Sequence, residues 1–185
     1  MTNITSKMKL KTFNKSYTDE TQQLFTSVFS DSEGQEEGML IGHLVSELIE
    51  STDDKDIYGY IAIENHQIIG SIFFTTLLFQ TDVKALLLSP VAVSTNYQGK
   101  GIGQKLILFG IEQLKEINVE LLFTYGDPNF YSKVGFSCIT EDTIQAPFKL
   151  TQPEGWLCQS LHGDAIKPID GPSFCVEALN KPEYW

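Results

Sequence analysis

Three glycines at alternate positions, Gly99, Gly101 and Gly103, follow an apolar run at residues 85–93 and open a long amphipathic stretch. Glycines placed there remove side chains where a helix presents its unpaired N–H groups. Those orphan donors and the helix dipole both favour an anion. The stretch is therefore a candidate cradle for the pyrophosphate of a nucleotide-derived molecule. Taken alone, the same glycines also fit an ordinary tight strand–helix turn. A dinucleotide fingerprint needs Gly-x-Gly-x-x-Gly and an acidic residue about twenty positions on. Here the spacing is Gly-x-Gly-x-Gly, and Glu120 begins the next strand. The Gly-Lys-Ser/Thr ending of a P-loop is absent.

The elements that must position this turn follow from periodicity. Residues 8–13 alternate as a half-buried strand. Thr18 or Asp19 is suited to cap a helix bearing Leu24, Phe25, Val28 and Phe29 on one face. Residues 30–38 form a polar, acidic break before a second helix with Ile41, Leu44, Val45, Leu48 and Ile49 at helical spacing. Residues 58–64 and 68–79 read as an antiparallel hairpin about Asn65-His66, its second strand apolar enough for burial on both faces. Residues 85–93 form the next strand. Pro90 lies inside it, cannot donate to a ladder, and marks a bulge or a parting from a neighbour. A helix over residues 101–117, a strand at 120–125, a short helix begun by Pro128 and ended by Gly135, and a strand at 136–139 follow. Cys138 is expected to be buried there. Beyond residue 140 only strands near Phe148 and Cys175 are legible, and Trp156, Phe174 and Trp185 are read as core or dimer contacts. The order describes a mixed-sheet α/β layer fold.

Composition narrows the function. A chain of 185 residues reads as a single domain spanning 1–185. Its net charge of -11 argues against a nucleic-acid partner and is compatible with cationic amines. Cys138, Cys158 and Cys175 form no CxxC pair, and His43, His66 and His162 lack metal spacing, so reduced thiols and no metal site are expected. Ser89 has no histidine partner and reads as a strand residue. No leader is expected at residues 1–7, and the most apolar segment, 68–79, is too short and too polar to span a bilayer. A cytoplasmic location without membrane partner is the expectation.

At Gln98-Gly99-Lys100-Gly101-Ile102-Gly103 the chain resembles the Gln/Arg-x-x-Gly-x-Gly/Ala signature of the GNAT superfamily of acyl-CoA N-acyltransferases. Leu88-Ser89-Pro90-Val91-Ala92-Val93 resembles that family's fourth strand. Residues 126–136, with Tyr131-Ser132-Lys133-Val134-Gly135-Phe136, resemble its Tyr-x-x-x-Gly-Phe segment, and their Gly-Asp-Pro opening is similar to that of the bacterial YhbS-like N-acetyltransferases. The specific likeness covers residues 85–139 and says little about 140–185. It implies a mostly antiparallel twisted sheet, splayed between its fourth and fifth strands and flanked by helices.

It also implies acetyl-CoA as co-substrate. The pyrophosphate would lie against backbone N–H groups at Gly99, Gly101, Ile102, Gly103 and Gln104, with Gln98 bracing the turn or adding a donor. Pantetheine would pair with the backbone of Val91 and Val93. Ala92, Lys100, Asn129 and Ser132 complete the implied cofactor contacts. Tyr131 would protonate the departing thiolate, while an amine attacks the thioester directly and a backbone N–H on the splayed strand holds the oxyanion. Many relatives carry a glutamate on the fourth strand, where this chain has Leu87, Ser89 and Val91. Asp127, Glu33, Glu36 and Glu37 are the candidate substitutes as general base, directly or through water, with none assigned. The acceptor is a small-molecule amine or a protein amino group, and a homodimer is compatible with the resemblance. The absent strand glutamate leaves a second reading open, a non-catalytic acyl-CoA-binding or sensing module of the same fold.

Overall fold

Alternation along the strands divides the apolar side chains between two layers, as a computed structural model of the chain shows for residues 7–185. Residues 1–6, on which most of the no-leader expectation falls, lie outside the described residues. The strands are β1 (Lys9–Thr12), β2 (Ile57–Glu64), β3 (Gln67–Leu77), β4 (Ala85–Val93), β5 (Leu121–Tyr125), β6 (Ser137–Cys138) and β7 (Trp156–Ser160). They form one sheet in the order β1-β2-β3-β4-β5-β7-β6. Every join is antiparallel except β4–β5, which is parallel and bridged by helix α3 (Ile102–Glu116). A parallel neighbour needs such a crossover, whereas β2 and β3 need only the Asn65-His66 turn, where both residues take positive φ.

Ile61, Phe73, Leu87, Phe123 and Trp156 face helices α1 (Thr18–Glu33) and α2 (Gln35–Ser51). Tyr60, Phe74, Leu86, Leu88, Leu122 and Leu157 face α3. β3 is buried along nearly its whole length, as its continuous apolar run requires.

Between β4 and β5 the pairing runs from Ala85 opposite Leu121 to Leu88 opposite Thr124 and stops. β4 continues to Val93 without that partner. On its other side Leu88 and Val91 lie opposite Phe74 and Ile72, so Ser89 and Pro90 together face Phe73. This is the bulge expected at Pro90, and it begins where β5 lets go.

The structure corrects several local expectations. Neither Thr18 nor Asp19 caps α1. A 3-10 turn over Lys15–Tyr17 precedes the helix, and the Asn14 side chain accepts from Ser16 N at 3.0 Å. Residues 30–38 are not a loop. Gly34 alone, at φ 103°, separates two helices, with Glu36 and Glu37 in the first turn of α2 suiting its dipole. Cys138 is exposed, because β6 is the outer strand of the sheet. No strand forms at Phe148, and beside Cys175 only Phe174 bridges to Leu78. β7 instead fills that side of the sheet. Trp156 and Trp185 are buried, but Phe174 is 53% exposed.

Candidate active site at the splayed strands

The parting of β4 from β5 opens a cavity of about 980 Å³. Leu88 to Val91 and Val93 line it from β4; Gln98, Gly99 and residues 101–104 line it from the glycine turn. Tyr125, Gly126, Asp127, Phe130, Tyr131 and Lys133 close the β5 side, and Glu33 reaches it from α1. Ser94 N donates to Ile69 O on β3 at 2.9 Å. By strand alternation Ala92 shares that direction, and the backbone groups of Val91 and Val93 turn away from β3 towards the gap. Gln98 Nε2 donates to Val93 O at 3.0 Å, so this side chain braces the turn.

The turn is shaped by backbone that only glycine adopts without strain. Gly99 and Gly101 both have φ of 73°, and Gly101 immediately precedes α3. Lys105 N donates to Gly101 O at 3.1 Å, which leaves Ile102, Gly103 and Gln104 as the first-turn donors of the helix. No acidic residue lies in that turn. At Gly103 a Cβ would stand 3.2 Å from Phe130 Cζ and 3.5 Å from Val93 Cγ2, so a side chain would narrow the floor of the cavity. Thr95 Oγ1 donates to Asp31 Oδ2 at 2.7 Å and ties the turn to α1.

Tyr131 is carried on a single helical turn, α4 (Pro128–Tyr131). Asp127 caps it, its Oδ1 accepting from Asn129 N at 2.9 Å and Asn129 Nδ2 at 3.1 Å. The ring lies on Gly126, where a Cβ would come within 2.6 Å of Tyr131 Cε2. Phe130 and Phe136 pack edge-on against it, with centroids at 5.0 Å and 5.8 Å. Burial pushes the phenol pKa above its ordinary value, with the Thr124 side chain opposing that shift and Asp127 adding to it. Thr124 Oγ1 in turn donates to Leu88 O at 2.9 Å.

The cavity thus gathers Tyr131, Val91, Val93, Gln98, Gly99, Gly101, Ile102, Gly103 and Gln104. It does not gather the remaining candidates. Ala92 is buried in the α1/α2 layer. Lys100 donates from Nζ to Asn96 O at 3.1 Å and lies over the Tyr97 ring at 4.9 Å. Asn129 is engaged with Asp127, and Ser132 continues the chain behind Tyr131. Of the candidate bases, Glu33 and Asp127 line the cavity. Glu37 lines an adjoining cavity of about 310 Å³, together with Glu33, Tyr125, Glu183, Tyr184 and Trp185; Glu36 lines neither.

Sequence reasoning missed Thr124 and the C-terminal wall. Thr124 was signalled only as a lone hydroxyl in the apolar run of β5. Tyr184 lines both cavities, and its hydroxyl is buried without a hydrogen-bond partner among the described residues. Burial raises its pKa; Lys181 counters this, and Glu183, Glu47 and Glu37 add to it. No periodicity marks that segment.

Among the described residues no group of three or more His, Cys, Asp or Glu is placed to hold a metal, and no helix is long and apolar enough to cross a membrane. Residues 55–138 match the family described as acetyltransferase (GNAT) domain. The chain is 31% identical over 124 residues to the uncharacterized N-acetyltransferase YjhQ of Escherichia coli K12, covering 64% of this chain and 68% of that one. It is 25% identical over 130 residues to the uncharacterized N-acetyltransferase YhbS of the same strain, covering 70% and 71%. The crystal structure of Escherichia coli YhbS in complex with CoA superimposes with a TM-score of 0.82 at 22% identity, over 98% of this chain and 96% of that one. A Brucella melitensis GNAT acetyltransferase in complex with acetyl-CoA gives 0.66 at 23% identity, over 94% and 99%.

Proposed function

The chain belongs to the GNAT family of N-acetyltransferases, and on that premise we propose that it uses acetyl-CoA to acetylate the amino group of an acceptor, with Tyr131 as general acid. We read residues 1–185 as one domain. One observation carries this: the open N–H row at the start of α3 and the Tyr131 phenol face the same cavity, at the point where β4 leaves β5.

The residues present fit such a donor. Gly99 and Gly101 have open space where a side chain would stand, so the backbone at the head of α3 is available to a pyrophosphate. Val91 offers both backbone groups to the gap and Val93 its N–H, a row suited to the amides of pantetheine. When bound, acetyl-CoA supplies the acetyl group as a thioester. Tyr131 gives its phenolic proton to the sulfur as the carbon–sulfur bond breaks and the carbon–nitrogen bond forms. A strand N–H facing the gap holds the negative charge that develops on the carbonyl oxygen. Glu33 is the carboxylate on the α1 wall that receives the amine proton, directly or through water, since Asp127 is occupied as a helix cap.

An amine acceptor suits the second mouth of the site. Glu33, Glu37 and Glu183 line the adjoining cavity with Tyr125, Tyr184 and Trp185, and among the described residues no lysine or arginine lines it. Carboxylates and aromatic faces both attract an ammonium group. Both small amines and protein amino groups fit that chemistry.

Acetyl-CoA at a hundred times its Kd should stabilise the chain by ~2.7 kcal/mol, or roughly 5–10 °C in melting temperature for a domain of this size. A panel of amines read by mass spectrometry should then yield an acetylated product. Tyr131→Phe should lower kcat by roughly 10²–10⁴ with CoA affinity retained. Absence of any thermal shift with acetyl-CoA or other acyl-CoAs at millimolar concentration sinks the proposal. Binding without turnover across the panel supports the acyl-CoA-sensing reading instead, which the lack of a β4 glutamate favours.

A further inference from the structure

Resting on the reading of the head of α3 as the pyrophosphate cradle, we propose that Lys133 is a further donor-binding residue. Its ammonium meets the pyrophosphate from the wall opposite that cradle.

The chain contains no arginine, so every side-chain cation other than histidine is a lysine. At a net charge of -11 such cations are scarce, and Lys133 is the one lysine among the described residues that lines the large cavity. Lys100, which stands among the glycines in sequence, is occupied elsewhere by Asn96 O and the Tyr97 ring. Lys133 is exposed, and among the described residues its ammonium has no ion-pair or hydrogen-bond partner. The carboxylates of Glu33 and Asp127 line the same cavity, and neither pairs with it. Its charge is therefore free for a ligand.

The position of Lys133 follows from the turn that carries it. Tyr131 and Ser132 both have right-handed helical backbone, so α4 runs on into the 3-10 turn Ser132–Val134. Residues three apart on such a turn share a face. Phe130 and Lys133 are so related. Phe130 bears on Gly103 in the first turn of α3, where a Cβ would stand 3.2 Å from its Cζ. Val134 is buried in the layer that packs on α3 and anchors the turn there. Lys133 is thereby set on the side of the turn nearest the open N–H groups of Ile102, Gly103 and Gln104. A lysine supplies a point charge on a flexible stem, which needs no fixed fork geometry at a phosphate. Backbone donors and cation close on the pyrophosphate from opposite walls, and its charge is met without arginine.

The test measures Kd by titration calorimetry in the full chain and in Lys133→Met. The probes are CoA and dephospho-CoA, which keeps the pyrophosphate and lacks the 3′-phosphate. Lys133→Met should raise both Kd values about three- to tenfold, the effect of one partly screened charge on a phosphate. That ratio should shrink between about 0.01 M and 1 M salt, as the screening length falls from about 30 Å to 3 Å. Lys133→Arg should keep most of the affinity. Lys115→Met makes the same change in net charge at the far end of α3, where Lys115 pairs with Glu112 at 2.8 Å, and should leave both Kd values unmoved. The Lys133 side chain is exposed, so the melting temperature without CoA should hold; Lys133→Gln serves if the methionine chain does not fold. Kd values unmoved by Lys133→Met, a loss on CoA with none on dephospho-CoA, or an equal loss in Lys115→Met overturns the proposal. Failure of the parent chain to bind CoA removes the donor reading and this inference together; a parent that binds CoA beside a silent Lys133→Met removes this inference only.

Discussion

Replacing Gly101 by alanine separates the conformation of the glycine turn from its shape. Gly101 sits at φ 73° and ψ 14°, immediately before α3, and a Cβ there would meet nothing within 4 Å. The added methyl therefore collides with no neighbour, and its cost is that of holding an L-residue in the left-handed region, ~1–2 kcal/mol. That cost is incurred in the CoA-bound state, which requires the turn in its present shape. It falls either on folding or on binding, according to whether the free turn stays left-handed. Open space around the position lets the free turn relax, so most of the loss should fall on binding. The expected outcome is a Kd for CoA raised about 5- to 30-fold, measured by titration calorimetry, with a small fall in the melting temperature of the free chain. Turnover of S-acetylpantetheine, which lacks the pyrophosphate, should change little. CoA affinity within twofold of the parent, with an unshifted melting temperature, refutes the reasoning. Equal loss on both donors would falsify the assignment of this turn to the pyrophosphate.

Two further outcomes follow from the packing. A Cβ at Gly38 would run into Ser30 Oγ and stand 2.5 Å from the Thr26 carbonyl, so Gly38→Ala should wedge α2 from α1. It should destabilise the chain by ~1–3 kcal/mol in a urea melt, and Ser30→Ala should not rescue it, because the backbone contact remains. Tyr60 is pushed up to about 12 by burial, with Tyr58 adding to the shift. The native state keeps that proton while the unfolded chain releases it near the ordinary value of 10.0, so stability should fall as pH rises from 10 towards 12. The full loss is about 3 kcal/mol. Tyr60→Phe should flatten this part of the pH profile and leave the decline due to Cys158, raised from 9.0 to about 12 by burial; an unaltered slope contradicts the assignment.

The sequence was most legible where local chemistry decides the structure. β4 and α3 emerge from an apolar run, a glycine turn and a helical stripe, all set by neighbours within a few residues. The bulge at Pro90 follows from one missing N–H. α1 began differently because Asn14 caps a preceding 3-10 turn, and a polar segment proved helical because one glycine is enough to redirect the chain. β7 was unreadable from Trp156 to Ser160, where no alternation survives and pairing comes from β5, some thirty residues upstream. The side of the site proposed for the donor shared the legibility of β4 and α3. Thr124 and Tyr184 did not, since each acquires its place through contacts with distant segments.

The two adjoining cavities have unequal origins along the chain. The wall proposed for the donor comes from one uninterrupted stretch, from Leu88 to Gln104, whose strand, turn and helix must change together or fail together. The wall proposed for the acceptor is pieced together from α1 and α2, the Tyr125 loop, and the tail at Glu183 to Trp185. A substitution in any one of these alters one wall and leaves the others standing. On the proposed function, such a division would let one amine be exchanged for another by small, separate steps while the donor stays the same.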